Sequence, residues 1–152
     1  MPPIFKRDPR FKQGIFKPKN PKKFLSERAI YRSSYELRFF RWADENPNVL
    51  EWSSESIIIP YISPIDGKGH RYYVDNYCVL KEGNTIKKYL IEIKPSTQTK
   101  RPVATKNKKP ASLIYEQTKW IVNQAKWEAA TKYAKQKGLE FIVLTEKELF
   151  QK

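Results

Sequence analysis

The 152-residue sequence is poor in the side chains that build disulfide frameworks and zinc sites. It contains one cysteine, Cys78, and one histidine, His70, which excludes an internal disulfide and a cysteine-based zinc site. No apolar stretch approaches the ~20 residues that cross a bilayer, and the first residues carry no apolar core typical of a signal peptide. We therefore expect a protein without a membrane partner that stays in the cytoplasm of the cell producing it.

Acidic residues are also scarce relative to basic ones, at 16 against 30, which gives a net charge of +14. The excess is concentrated in residues 1–24, with eight basic residues and one acid, and residues 95–110, with five basic residues and none. The remainder is balanced, with 17 basic and 15 acidic residues. This pattern favours a polyanionic partner such as DNA, bound through phosphate contacts and counterion release. The alternative is a role limited to solubility or to docking on an acidic protein.

The length and a hydrophobic content of 39% predict one folded domain with a real core. Residues 1–24 interleave phenylalanine with lysine, arginine and proline, which excludes a regular helix or a central strand. We predict a basic extended N-terminal arm over residues 1–24, with its aromatic rings docked on the body rather than stacked on bases. Residues 25–152 are predicted to form a single domain with a flexible basic loop at residues 95–110.

Apolar periodicity predicts helices and strands in alternation along this domain. Helices are expected at residues 33–46, 111–138 (with a break near Asn123) and 145–148, the first and last of them opened by capping boxes. Strands are expected at residues 56–62, 70–80, 85–94 and 141–144, the first three as a meander. The order predicts an α/β fold in which helices flank a central mixed sheet.

The link between the second and third predicted strands fixes their register. Its Gly-Asn pair, residues 83–84, is typical of a type II′ hairpin loop, so the numbers of facing residues sum to 167. Asp75 then faces Glu92, and Tyr73 faces Lys94, with Cβ atoms ~4.5–5.5 Å apart. Two carboxylates so placed repel each other unless a cation lies between them.

Four residues form the candidate site: Glu36, Asp75, Glu92 and Lys94. Carboxylates are hard oxygen ligands that suit Mg²⁺ or Mn²⁺, and a nearby lysine can orient an attacking water and stabilise developing charge. Simpler interpretations exist, because Glu36 can merely cap its helix, and Glu92 and Lys94 can share a solvated strand face. Asp75 is harder to explain in this way, since aspartate is disfavoured in strands.

Further basic or polar residues are candidates to contact DNA. On the long helix these are Gln124 and Lys126, although Lys126 could equally be a solvated helix lysine. In the basic loop they are Lys100, Arg101, Lys106, Lys108 and Lys109.

The chain resembles the PD-(D/E)XK nuclease superfamily at the candidate site. Asp75 and Glu92 match its two acidic positions, Lys94 its lysine, and Glu36 the glutamate of the preceding helix, whereas Val74 stands where the superfamily name expects proline. Longer strings resemble the head completion nucleases of T-even-type tailed phages; they lie at residues 20–24, 31–36, 46–55, 59–61, 63–68, 90–95, 125–127 and 144–146. The first half is also similar to the catalytic domain of the TnsA transposon endonuclease.

The resemblance implies a restriction-endonuclease-like core and a DNA endonuclease that depends on Mg²⁺ or Mn²⁺. Asp75, Glu92 and Glu36 would hold the metal, and Lys94 would position the attacking water. Such a protein would process DNA at the filled head, in the cytoplasm of the bacterial host, so that neck and tail can join. A virion-associated copy would contact portal or neck proteins. The alternatives are a non-catalytic head or neck protein that retains the nuclease fold, a TnsA-like transposon endonuclease, and a nucleic-acid-binding protein without chemistry.

Overall fold

The computed structural model describes residues 13–150. Three α-helices lie in this range: α1 (Ser34–Glu45), α2 (Pro110–Lys137) and α3 (Glu146–Leu149). The strands are β1 (Gly14–Phe16), β2 (Ala29–Tyr31), β3 (Val49–Ser54), β4 (Ile58–Ile62), β5 (Gly69–Tyr73), β6 (Asn76–Glu82), β7 (Thr85–Ile93) and β8 (Glu140–Leu144). Phe5 and Phe11 of the predicted arm lie outside the described residues.

A four-stranded mixed sheet in the order β3-β6-β7-β8 forms the centre of the fold. The first three strands are antiparallel to one another, and β8 runs parallel to β7. The cluster around Phe40, Trp52 and Ile91 packs α1 against the sheet, and a second cluster packs Ala130 and Ala134 of α2 against Leu90. The predicted α/β fold, a central mixed sheet flanked by helices, is therefore confirmed.

Helix α1 begins and ends where its sequence signals predict. The Ser33 side chain accepts a hydrogen bond from the backbone N–H of Glu36 at 3.2 Å, and the helix ends at Asn46, whose N–H donates to the Trp42 carbonyl. The reciprocal half of the predicted capping box differs, because the Glu36 carboxylate accepts from the backbone N–H of Arg32 instead of Ser33. Glu36 is thereby fixed at the first turn of the helix.

The predicted register of the β6–β7 hairpin is confirmed. The ladder runs from Asn76 facing Ile91 to Glu82 facing Thr85, and every pair sums to 167. Gly83 has a φ of 61°, the left-handed conformation that the first loop position of a type II′ turn requires. This turn fixes which residues of the two strands meet at the far end of the ladder.

The predicted three-strand meander is wrong. Strand β4 pairs with β5 in a separate two-stranded ribbon, and the strand predicted at residues 70–80 divides at residues 74–75. Tyr73 consequently faces Ile58 and not Lys94. The chain changes partners at this point, because Val74 donates its N–H to Ile57 whereas Asn76 already pairs with β7.

Helix α2 is one continuous element of 28 residues, so the predicted break near Asn123 is wrong. The helix ends as expected at Gly138, which has a φ of 71° and donates its N–H to the Ala134 carbonyl. Within residues 13–150, no helix combines the length and the apolar character needed to cross a bilayer.

The described part of the N-terminal segment packs on the domain. Strand β1 pairs with β2, and the rings of Phe16 and Phe24 lie 6.1 and 4.5 Å from that of Trp52, centroid to centroid. The N–H of Leu25 donates to the Trp52 carbonyl at 2.9 Å. The division into an arm at residues 1–24 and a domain at residues 25–152 stays a prediction.

Candidate active site

The four predicted site residues meet in one cavity of about 250 Å³. It opens at the end of the central sheet, where β6 begins and β7 finishes. Glu36, Asp75, Glu92 and Lys94 all line it, and Gln98 contributes to its wall. Residues from α1, from the β5–β6 junction and from β7 are thus brought together by the fold.

Asp75 reaches the site because it lies just beyond the last backbone pair of the hairpin. Its Oδ2 accepts a hydrogen bond from the backbone N–H of Ile93 at 2.7 Å, so the carboxylate is held beside Glu92. Burial raises the pKa of Asp75 well above its usual range, and the charge of Glu92 raises it further; the Ile93 N–H opposes these effects. An ionised Asp75–Glu92 pair is therefore costly without a cation.

Glu92 is almost fully buried, with 6% of its surface exposed. One carboxylate oxygen, Oε1, lies 3.7 Å from the Lys94 ammonium, which shares its face of β7 because side chains alternate along a strand. The other, Oε2, accepts a hydrogen bond from the Tyr72 hydroxyl. Burial raises the pKa of Glu92, while the Tyr72 hydrogen bond and the charges of Lys94 and Lys126 oppose the rise.

Glu36 lines the cavity from α1. Its Oε2 accepts hydrogen bonds from the backbone N–H of Arg32 at 2.8 Å and from the Ser33 hydroxyl at 3.3 Å. Burial raises the pKa of Glu36, and the hydrogen bond from Arg32 opposes this effect. The side chain is thus both a helix cap and a wall of the cavity.

Of the two candidates on α2, only Lys126 is brought to the site. Its ammonium lies 5.6 Å from the ring centroid of Tyr72 and 5.9 Å from that of Tyr61, and its charge acts on Glu92. Neither residue lines the cavity itself, and Gln124 is exposed. Two residues correspond to ~200° around a helix, so Gln124 lies on a different side of α2 from Lys126.

The basic loop leaves the site directly after Lys94. It starts with a short 3₁₀ turn, in which Ser96 donates its N–H to the Glu146 carboxylate at 2.8 Å. The predicted DNA contacts Lys100, Arg101, Lys106 and Lys109 are exposed. Lys108 differs from them, because its ammonium is held 2.7 Å from Glu116 and 3.0 Å from the Val103 carbonyl.

Comparison with known proteins identifies the family. The sequence of residues 46–146 matches the family described as the TnsA-like endonuclease N-terminal domain. The chain belongs to this family. It is also 37% identical over 143 residues to the head completion nuclease of Enterobacteria phage T4. This alignment covers 88% of this chain and 90% of the phage protein. The comparisons confirm the predicted class, a nuclease related to phage head completion.

The TnsA-like match includes Asp75, Glu92, Lys94 and Lys126, while Glu36 precedes it. Sequence reasoning missed Tyr72, whose hydroxyl contacts Glu92. Nothing in a tyrosine-rich segment indicates which hydroxyl meets a carboxylate, because that contact depends on how the ribbon folds over the sheet.

Arg32 is a second residue that sequence reasoning missed. Its guanidinium lies 2.7 Å from the Glu55 carboxylate, and the charges of Glu36 and Asp75 also help to raise the pKa of Arg32, after the larger effect of Glu55. Its position in the sequence could have indicated this role, because Arg32 directly precedes the N-cap of α1 and lies four residues before Glu36. Arg32 thus adds positive charge to the α1 side of the site.

The TnsA-like family suggests dependence on a divalent metal, and the donor chemistry of the site fits one. Within residues 13–150, no three histidine, cysteine, aspartate or glutamate side chains converge closely enough to bind a metal by themselves. Mg²⁺ requires fewer, because it commonly takes one or two carboxylates and keeps several waters. Asp75 and Glu92 supply such a pair, whose mutual repulsion a cation would relieve.

Proposed function

We propose that this protein is a DNA endonuclease that hydrolyses phosphodiester bonds with Mg²⁺ or Mn²⁺ held by Asp75 and Glu92. The observation that supports this most is the meeting of both carboxylates with Lys94 in one cavity, with the Lys94 ammonium 3.7 Å from Glu92. A phosphate group entering that cavity would be repelled by the carboxylates alone. A divalent cation reverses the sign of the local charge.

The residues of the cavity would have different roles in hydrolysis. When bound, the metal would polarise the phosphodiester and make a neighbouring water more acidic. Lys94, partly exposed at 26% of its side chain, would orient the attacking water and stabilise negative charge developing on the phosphate. Glu36 would act from the α1 side of the cavity, through a second metal or a metal-bound water.

The basic segments would hold DNA across the opening of the cavity. Lys100, Arg101, Lys106 and Lys109 are exposed on the loop that leaves the site, and phosphate contacts from such residues need no particular base sequence. Lys126 would contact a DNA phosphate near Glu92. Gln124 is a weaker candidate for such a contact, because it lies on a different side of α2 from Lys126. Lys108 would contribute less than its neighbours, because Glu116 already neutralises it.

The biological role that we propose is head completion in a tailed phage. The chain matches nearly the whole length of a phage head completion nuclease, which favours this role over transposition. The protein would trim or process DNA at the filled head, in the host cytoplasm, before neck and tail attach. Contact with portal or neck proteins would then place the cavity beside the packaged DNA end.

The direct test incubates the pure protein with supercoiled, linear and branched DNA in Mg²⁺, Mn²⁺ or EDTA. We expect cleavage in either metal and none in EDTA, and the preferred DNA form will identify the substrate. If no DNA form is cut with any divalent metal, the protein is a non-catalytic member of the family.

Glu92→Gln is the sharpest test of the site. It keeps the shape of the side chain but removes the charge that binds the metal, so cleavage should fall at least ~1,000-fold while folding and DNA binding remain nearly intact. Glu128→Gln is the matched control, because Glu128 is exposed on α2 and forms an exposed ion pair with Lys132; its activity should equal that of the wild type. Full activity in Glu92→Gln would disprove the site assignment.

A further inference from the structure

Tyr72 is the buried residue that joins the β4–β5 ribbon to the candidate site. Only 4% of its surface is exposed, and its hydroxyl donates to Oε2 of Glu92. The strand that carries it pairs with β4 and not with the central sheet. The ribbon therefore contributes a polar contact to a carboxylate that belongs to a different sheet.

This hydrogen bond limits how the Glu92 carboxylate can rotate. A buried tyrosine hydroxyl needs a partner, and here the partner is a carboxylate oxygen on the opposite side from the Lys94 ammonium. With Oε1 beside Lys94 and Oε2 bonded to Tyr72, both oxygens have defined neighbours. The orientation of the carboxylate is thus set before any ligand arrives.

The ring of Tyr72 makes a second contact, with Lys126 of α2. The ammonium lies 5.6 Å from this ring and 5.9 Å from the ring of Tyr61, within the range of cation–π attraction. The two rings form a platform that keeps the lysine near Glu92. A long lysine on a helix would otherwise be free to extend into solvent.

We propose that Tyr72 is a positioning residue, whose hydroxyl orients Glu92 and whose ring holds Lys126 beside that carboxylate. This inference rests on the proposed function, because the orientation matters only if Glu92 binds a metal. Residues that hydrogen-bond a ligating side chain typically change metal affinity or activity by about 10- to 100-fold when replaced.

The test compares Tyr72→Phe with Tyr73→Phe. Each variant removes one hydroxyl and keeps the ring, but Tyr73 is 48% exposed and faces Ile58 on the ribbon. Calorimetric titration with Mg²⁺ should give Tyr72→Phe a Kd about 10-fold or more above that of the wild type. Its kcat should fall by a similar factor while KM for DNA changes little, and Tyr73→Phe should match the wild type in all three values.

A second measurement does not depend on how well the Phe variant folds. A 3-fluorotyrosine at position 72 keeps the hydroxyl, and its ¹⁹F resonance should shift when Mg²⁺ is added, whereas the same label at position 73 should not respond. An unresponsive label at position 72 would overturn the proposal. So would a Tyr72→Phe variant that loses thermal stability but binds Mg²⁺ as the wild type does, since that result indicates packing alone.

The two proposals fail in different ways. If the wild type binds Mg²⁺ more tightly than Tyr72→Phe but cuts no DNA, the endonuclease proposal fails and the role of Tyr72 stands. If the wild type cuts DNA and both tyrosine variants match it in Mg²⁺ affinity and kcat, the role of Tyr72 is refuted and the activity stands.

Discussion

The Asp75 carboxylate, and not a backbone carbonyl, accepts the hydrogen bond of the Ile93 N–H. The ladder of the β6–β7 hairpin ends where Asn76 faces Ile91, and the N–H of Ile93, two residues further along β7, donates to the Asp75 carboxylate. This contact holds the carboxylate next to Glu92, where both burial and like charge raise its pKa. A carboxyl whose pKa is raised by folding destabilises the folded state once the pH exceeds its usual pKa, and does so fully above the raised pKa, because the unfolded chain ionises more easily.

Replacing Asp75 with Asn should therefore stabilise the metal-free protein at neutral pH. An amide oxygen can still accept from Ile93, and the repulsion with Glu92 disappears. We expect a gain of about 0.5–2 kcal/mol, seen as a Tm a few degrees higher in EDTA. The gain should shrink as the pH falls from the raised pKa of Asp75 in the folded state towards the usual pKa of aspartate. It should vanish below the usual pKa, because the carboxyl is then neutral in both the folded and the unfolded chain.

Asp66→Asn provides the control of opposite sign. The Lys68 N–H and the His70 ring lower the pKa of Asp66, so its charge favours the folded state and its removal should lower the Tm at neutral pH. A stabilised Asp66→Asn, or an unchanged Asp75→Asn, would contradict this account of the site.

The sequence predicted the opposed carboxylates because one short turn determines them. Once residues 83–84 adopt a two-residue loop, every facing pair follows by counting, and Asp75 and Glu92 are brought to the same end. The contacts of Tyr72 and Lys126 could not be counted in this way. They depend on the separate β4–β5 ribbon and on α2, which lie far from β7 along the chain.

Strand β3 shows why one element escaped sequence reasoning. Its ladder with β6 carries an irregularity between Val49 and Glu51, which disrupts the two-residue alternation that marks a half-buried strand. Ser53 and Ser54 are buried, so the polarity of the side chains also gives no sign of the burial. Element type was predictable where periodicity was regular, as in α1, β7 and β8.

The outer edge of β3 is covered by the segment at residues 24–26. Phe24 forms a parallel bridge with Trp52, and the Ser26 hydroxyl both accepts from the Ser54 N–H at 2.9 Å and donates to the Ser54 carbonyl at 3.1 Å. Uncovered edges pair readily with other chains. This segment therefore protects one side of the central sheet.

Phe24→Ala should weaken that cover. The ring is half-buried and lies 4.5 Å from Trp52, so we expect a loss of about 1–3 kcal/mol together with self-association visible by size-exclusion chromatography with light scattering. Leu25→Ala is the matched control, because Leu25 is 54% exposed and its backbone hydrogen bond to Trp52 survives the change. If Phe24→Ala matches the wild type in both molar mass and stability, the segment is not a protective cover.

At the scale of the whole molecule, exposed cations lie on the loop that follows β7 at the cavity. Lys100 and Arg101 are among them. Neutralising Lys100 and Arg101 to Gln should weaken DNA binding and reduce the slope of log K against log [salt] by up to about 0.9 per lost phosphate contact. Fluorescence anisotropy measures both quantities, and a Glu92→Gln background prevents cleavage.

A double change of Lys81 and Lys88 to Gln is the matched control, because it alters net charge equally. Both residues are exposed on the β6–β7 hairpin, where Lys81 faces Ile86 and Lys88 faces Val79, on the turn side of Glu92. We expect a smaller effect on the salt slope from this pair. Equal slopes in the two double variants would mean that DNA is attracted by total charge and not guided by the loop.

The parallel pairing of β7 with β8 has a consequence for the order of synthesis. The end of β7 that carries Glu92 is completed by residues made some 50 positions later: Lys94 donates its N–H to the Leu144 carbonyl, and Ser96 donates to Glu146. A nascent chain on the ribosome has no such neighbours until α2 and β8 have emerged. The backbone that follows Glu92 and Lys94 therefore gains its hydrogen-bond partners only after β8 has been synthesised.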